Sequence, residues 1–182
     1  DRVVPYTAEI SRANPTCFLF VVDRSSSMSE PFAGAGGGKS KAEGVADAIN
    51  RLLQNLAIKC AKADGIRDYF HVGLIGYGES VGPAWGGALA GKNLVPVSEV
   101  ANNPLRVESR TRKVDDGAGG LIEQSFKFPV WLEPLAKGKT PMDEAMRLVK
   151  TYVQMFIFQF PKAYPPLVVH LTDGRPSDAD PR

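Results

Sequence analysis

Apolar residues along the chain keep two different rhythms. Cys17 to Val22 reads C-F-L-F-V-V, a continuous apolar run bounded by polar residues, and predicts a strand buried on both faces. It stops at Asp23. Further on, Ala42, Val45, Ala46, Ile49, Leu52, Leu53, Leu56 and Cys60 recur at three- and four-residue steps, the signature of an amphipathic helix over about 39–62. Tyr69 to Tyr77, Y-F-H-V-G-L-I-G-Y, predicts a second strand. Met142, Ala145, Met146, Val149, Val153, Phe156 and Ile157 form the apolar stripe of a second helix over about 141–159. The third strand, Pro166 to Thr172 (P-L-V-V-H-L-T), also stops at an aspartate, Asp173.

Between Gly78 and Gly138 the pattern loosens into Gly, Pro and Asn clusters, with strand-like stretches near 93–97, 105–114 and 123–132. This predicts a β-rich insert over about 79–132. Residues 1–16, with Pro5 and Pro15, are expected to form a strap leading into a domain that occupies 17–182. Strands alternating with helices imply an α/β fold: a Rossmann-like, mostly parallel central sheet flanked by helices, with right-handed crossovers. Ligands of such sheets bind beyond the carboxyl ends of the strands, where Asp23 and Asp173 fall.

Composition narrows the function. A chain of 182 residues that is 43% hydrophobic and 23% charged suits one packed core. Twenty-two Lys and Arg against 20 Asp and Glu leave a net charge of +2, too little for the broad positive field that nucleic-acid binding needs. Two cysteines, Cys17 and Cys60, do not resemble a disulfide scaffold, and both are expected to be free and buried. The chain has neither an apolar run of the roughly 20 residues that span a bilayer nor a signal-peptide pattern, so a cytoplasmic location is the expectation.

Directly after the first strand comes Asp23-Arg24-Ser25-Ser26-Ser27, which can aim Asp23, Ser25 and Ser27 inward from one tight loop. A hard cation such as Mg²⁺ takes oxygen ligands and keeps several waters, so one carboxylate and two hydroxyls make a partial shell for it. The competing explanation is turn and cap chemistry, which favours the same residues. Thr140-Pro141 likewise reads as a helix start, with Thr140 as cap and Asp143 as a capping-box acid, and Asp173-Gly174 as a turn. The metal reading gains from convergence: three separated segments deliver oxygen-bearing residues to one edge of the inferred sheet.

These residues closely resemble the von Willebrand factor type A (VWA) domain family and its metal-ion-dependent adhesion site (MIDAS). The match lies in Asp23, Ser25 and Ser27 of the D-x-S-x-S loop, Thr140 in G-K-T-P-M and Asp173 in L-T-D-G, over roughly residues 17–178. The resemblance implies that the serine hydroxyls bind Mg²⁺ directly, with Mn²⁺ or Ca²⁺ as alternatives, while the threonine and aspartates bind directly or through water. It also implies that a Glu or Asp carboxylate of a partner protein completes the shell. Family domains continue past the T-D-G strand, so on the order of 50–70 further residues would complete the fold. A sheet ending at 166–172 would expose an apolar edge.

Two further functions compete: a scaffolding VWA domain of an intracellular assembly, such as one beside an ATPase, with a partly structural metal, and a phosphohydrolase using Asp23. The latter would need a second aspartate where Ser25 stands, and His71 and His170, the only histidines, are expected to pack within strands rather than serve as a base. Gly34-Ala35-Gly36-Gly37-Gly38-Lys39-Ser40 is not a P-loop, because the motif requires glycine where Ala33 stands. Arg106, Arg110, Arg112 and Lys113 form a basic cluster, read as a solvated strand face rather than a docking site for an acidic partner.

Overall fold

The computed structural model describes residues 9–32, 38–115, 117, 119–174, 176 and 177. Its strands are β1 (Thr16–Asp23), β2 (Ala61–Lys62), β3 (Gly65–Ile66), β4 (Phe70–Tyr77), β5 (Val81–Pro83), β6 (Leu94–Pro96), β7 (Arg106–Asp115), β8 (Leu121–Val130) and β9 (Leu167–Leu171). The helices are α1 (Lys41–Cys60), α2 (Val97–Asn102) and α3 (Met142–Gln159), with short 3-10 turns at Ser26–Ser29 and Gly87–Leu89. Most of the glycine-rich loop, residues 33–37, lies outside the described residues, as do the first half of the predicted strap and the C-terminal residues 178–182.

The central sheet is mixed but mainly parallel. β1 pairs in parallel with β4 on one side and with β9 on the other. Two three-residue strands share the far edge of β4, both antiparallel: β6 along His71–Gly73 and β5 along Ile75–Tyr77. The period of two in a strand explains why β1 is apolar throughout. Phe20 and Val22 face one way, into a core with Ala46, Ile49 and Leu53 of α1, Val72 and Leu74 of β4, and Trp131. Cys17, Leu19 and Val21 face the other way, against Ala145, Val149, Tyr152 and Phe156 of α3. Helices therefore cover both faces, and Cys17 and Cys60 are free and buried. Burial pushes the Cys17 thiol up to about 12, so it behaves as a small hydrophobe.

The predicted insert resolves into two parts with different attachments. Its first part supplies β5, β6 and α2 to the edge of the main sheet, whereas β7 and β8 pair over ten positions as a separate antiparallel hairpin. The hairpin lies on α1 and not on the carboxyl edge. Buried Asn50 of α1 anchors its exit: Oδ1 accepts the N–H groups of Trp131 (2.8 Å) and Leu132 (2.9 Å), and Nδ2 donates to the Leu132 carbonyl (3.0 Å). Half of the basic cluster is spent internally, while Arg112 and Lys113 stay on an exposed strand face. Arg110 lies 3.6 Å over the Phe128 ring and pairs with Asp47 and Glu108, and Arg106 pairs with Glu108 and Glu133.

Beyond β1, β9 pairs with no other strand among the described residues, and Leu167 and Val168 are 50% and 38% exposed. This is the open apolar edge that the sequence leads one to expect.

Candidate metal site

The order β4–β1–β9 reverses direction at β1: the chain goes from β1 to β4 on one side, then returns through α3 to β9 on the other. The carboxyl ends of β1 and β9 therefore flank a topological switch point, where α/β sheets open a crevice. Asp23 ends β1, and Thr172 and Asp173 follow β9.

Four of the five sequence-predicted residues join in one hydrogen-bonded chain there. Asp23 Oδ1 accepts the Ser25 N–H at 2.9 Å, and Oδ2 accepts the Thr172 hydroxyl at 2.7 Å. The hydroxyls of Ser25 and Ser27 lie 3.2 Å apart, and Ser27 Oγ donates to Asp173 Oδ1 at 2.9 Å. Asp23 is 1% exposed and Ser25 2%. Thr140, the fifth, is held beside this chain through its backbone. Two positions upstream, Gly138 exchanges hydrogen bonds with Ser26, whose N–H and hydroxyl reach the Gly138 carbonyl at 3.0 and 3.1 Å. On the other side, the Thr140 N–H donates to Ser177 Oγ at 3.0 Å, and its carbonyl accepts the Ser177 N–H at 2.9 Å.

The helix-cap explanation of Thr140 is not what the structure shows. α3 begins at Met142, Pro141 takes the N-cap position, and no side chain caps the helix. By contrast, α1 has the full capping box: Ser40 Oγ accepts the Glu43 N–H, and Glu43 accepts the Ser40 N–H.

Two glycines let these loops press together. Arg24 accepts the Lys137 N–H on its carbonyl and donates its own N–H to the Tyr77 carbonyl, both at 2.7 Å, so the loops after β1 and β4 and the loop before α3 are in contact. A Cβ at Gly78 would stand 2.6 Å from the Lys137 carbonyl oxygen and 2.7 Å from that of Arg24. At Gly138, with φ +91°, it would stand 2.4 Å from the Glu79 nitrogen.

Beneath the edge, Tyr77 is fully buried, and its hydroxyl and His170 Nε2 lie 2.7 Å apart. Burial pushes the tyrosine hydroxyl up and the His170 imidazole down, so both are neutral near pH 7. Above it, the Lys41 ammonium contacts Asp173 Oδ2 at 2.5 Å and Glu30 Oε2 at 2.6 Å. This ammonium, the largest influence, holds the Asp173 carboxyl below the usual carboxylate range, with help from the Ser27 hydroxyl. An open recess of about 640 Å³, lined by Gly78, Glu79, Ser80, Lys139 and Glu144 among others, adjoins the Thr140 side.

The donor set suits a hard cation. It offers the carboxylates of Asp23 and Asp173 and the hydroxyls of Ser25 and Ser27, all oxygen. Among the described residues no group of three or more His, Cys, Asp and Glu converges on a metal position, here or elsewhere, so hydroxyls and water would have to supply much of the shell. Asp23 supplies a sharper test. It is buried, makes no ion pair among the described residues, and accepts the Ser25 N–H on one oxygen and the Thr172 hydroxyl on the other, with the Tyr77 hydroxyl also near it. A carboxylate has about four acceptor positions. A buried anion without a cation is costly, so a bound positive ion would satisfy what Asp23 lacks.

Sequence reasoning passed over three contributors. Thr172 was visible within L-T-D-G as the hydroxyl beside Asp173; Ser26, the loop clamp, and Lys41, a helix-start residue, carried no signal of their own. Compared with family models, curated proteins and solved structures, the chain matches none. No helix of the described residues is long and apolar enough to cross a membrane.

Proposed function

We propose that the chain is a VWA-like binding module that holds Mg²⁺ at a MIDAS-type site and uses it to coordinate an acidic side chain of a protein partner. The observation that carries this reading is Asp23: a buried carboxylate with no ion pair among the described residues, at the switch point of the sheet and at the head of a loop whose Ser25 and Ser27 hydroxyls lie 3.2 Å apart. Asp23, Ser25 and Ser27 would hold the ion, with Thr140 and Asp173 completing the shell directly or through water. When bound, the ion supplies Lewis acidity toward a carboxylate oxygen. The protein's own part is to fix the hydroxyls through the Ser26–Gly138 clamp and to orient Asp23 through Thr172.

The clamp supports this reading over that of a scaffolding domain with a partly structural metal. The loops are already joined by protein hydrogen bonds, so the ion is available for a ligand rather than needed as a staple. Hydrolysis is less favoured, because His170 is engaged with Tyr77 and His71 packs against Phe156 and Phe160.

The test is ternary binding. With Mn²⁺ bound to the domain, water-proton relaxation is followed during titration with peptides carrying Glu or Asp, and with their Gln or Asn counterparts. The reading predicts that the acidic peptides alone displace metal-bound water and that a chelator abolishes their binding. Equal behaviour of acid and amide peptides contradicts it.

A further inference from the structure

Lys41 occupies an unfavourable place for a cation. It is the first residue of α1, where the helix dipole is positive and acidic side chains are preferred. Two acids from separate loops receive it: Glu30 at 2.6 Å, from the segment after β1, and Asp173 at 2.5 Å, from the loop after β9. Asp173 thus has one oxygen on an ammonium and the other on the Ser27 hydroxyl. The two carboxylates of the edge are not equivalent. Asp23 has no cation among the described residues, whereas Asp173 already has one.

We propose that Lys41 is an internal counter-cation that restrains Asp173 from ligating the ion directly, and so sets the affinity and the residual charge of the metal. The inference rests on the metal-binding reading above. With Asp173 neutralised, the ion at Asp23, Ser25 and Ser27 is opposed by one uncompensated carboxylate instead of two. It is held more weakly and retains more charge for the carboxylate of a partner. Ser27 is the hinge of the arrangement: a lone pair of its oxygen can face the ion while its O–H goes on donating to Asp173.

The substitution that isolates this is Lys41→Met, which keeps the aliphatic stem and removes the charge. A unit charge beside a divalent ion in partly solvated surroundings is worth on the order of tenfold in affinity at low ionic strength. Mg²⁺ and Mn²⁺ are titrated calorimetrically into the parent chain, Lys41→Met, Lys41→Arg and Asp23→Ala, with folding checked by circular dichroism. Lys41→Gln stands in if Lys41→Met does not fold.

The inference predicts about tenfold tighter binding in Lys41→Met, parent affinity in Lys41→Arg, loss of binding in Asp23→Ala, and a Lys41→Met effect that shrinks as salt is raised. Equal or weaker binding in Lys41→Met, with saturable binding in the parent, overturns the role of Lys41 and leaves the metal site standing. No saturable binding in either parent or Lys41→Met overturns the metal reading, and this inference with it.

Discussion

Ser27 donates a 2.9 Å hydrogen bond to Asp173 across 146 positions of sequence, closing the crevice between the ends of β1 and β9. The bond ties the two halves of the candidate site but leaves their charges unequal, because Lys41 neutralises Asp173 while Asp23 has no such partner among the described residues. Asp23→Asn is therefore expected to abolish Mg²⁺ binding, and Asp173→Asn to weaken it by a smaller factor. Calorimetric titration of the two folded variants decides. A larger loss in Asp173→Asn contradicts the asymmetry.

The loop clamp depends on glycine. Gly138→Ala places a methyl group against the Glu79 backbone in a left-handed conformation, and is expected to cost about 2 kcal/mol or more of stability. Gly82→Ala, where a Cβ meets nothing within 4 Å, is expected to be neutral or slightly stabilising. Thermal melts of the pair provide the comparison, and equal melting temperatures would show that the loops can part without penalty.

Asn50 joins α1 to the end of the β7–β8 hairpin through three buried hydrogen bonds. Asn50→Leu leaves two N–H groups and a carbonyl without partners, and is expected to destabilise the fold by about 2–4 kcal/mol. Chemical denaturation measures it. A change below about 0.5 kcal/mol would mean that water or a shifted strand satisfies these groups as well.

Burial lowers both histidines, His71 and His170, from the ordinary value of 6.5. The unfolded chain then binds more protons than the folded one below that pH, so stability falls as pH drops through 6.5 toward the lowered folded values. Asp173 acts in the same direction, but only as pH falls below 3.8. Denaturation midpoints between pH 7.5 and 5.5 should decline in the parent and decline less in His71→Phe. A flat profile in the parent contradicts the assignment.

Much of this was legible in the residues because the core strands are nearly continuous apolar runs, and two of the three stop at an acid, Asp23 and Asp173. Cys17–Val22 could only be buried, and the hydroxyls after Asp23 had to fall at a sheet edge, whereas Pro166–Thr172 forms an edge strand whose Leu167 and Val168 stay exposed. Less legible was whatever depends on pairing across long separations. β5 is three residues, too short for a period to emerge, and only its partner β4 makes it a strand, whereas β6 falls within the strand-like stretch expected near 93–97. The six residues of α2 carry too little periodicity to distinguish from the strand-like stretch before them. Arg110 looks like a free surface cation until Asp47, 63 positions away, and the Phe128 ring are brought against it. Lys41 was hidden for the same reason: as a sequence position it is only the start of a helix.

The most direct test of the account is calorimetric titration of Mg²⁺ into the parent chain and into folded Asp23→Ala and Ser25→Ala. One-site saturable binding in the parent that disappears in both variants is the predicted result. Binding of equal strength in all three, or in none, would contradict the metal site and leave the edge as turn chemistry alone.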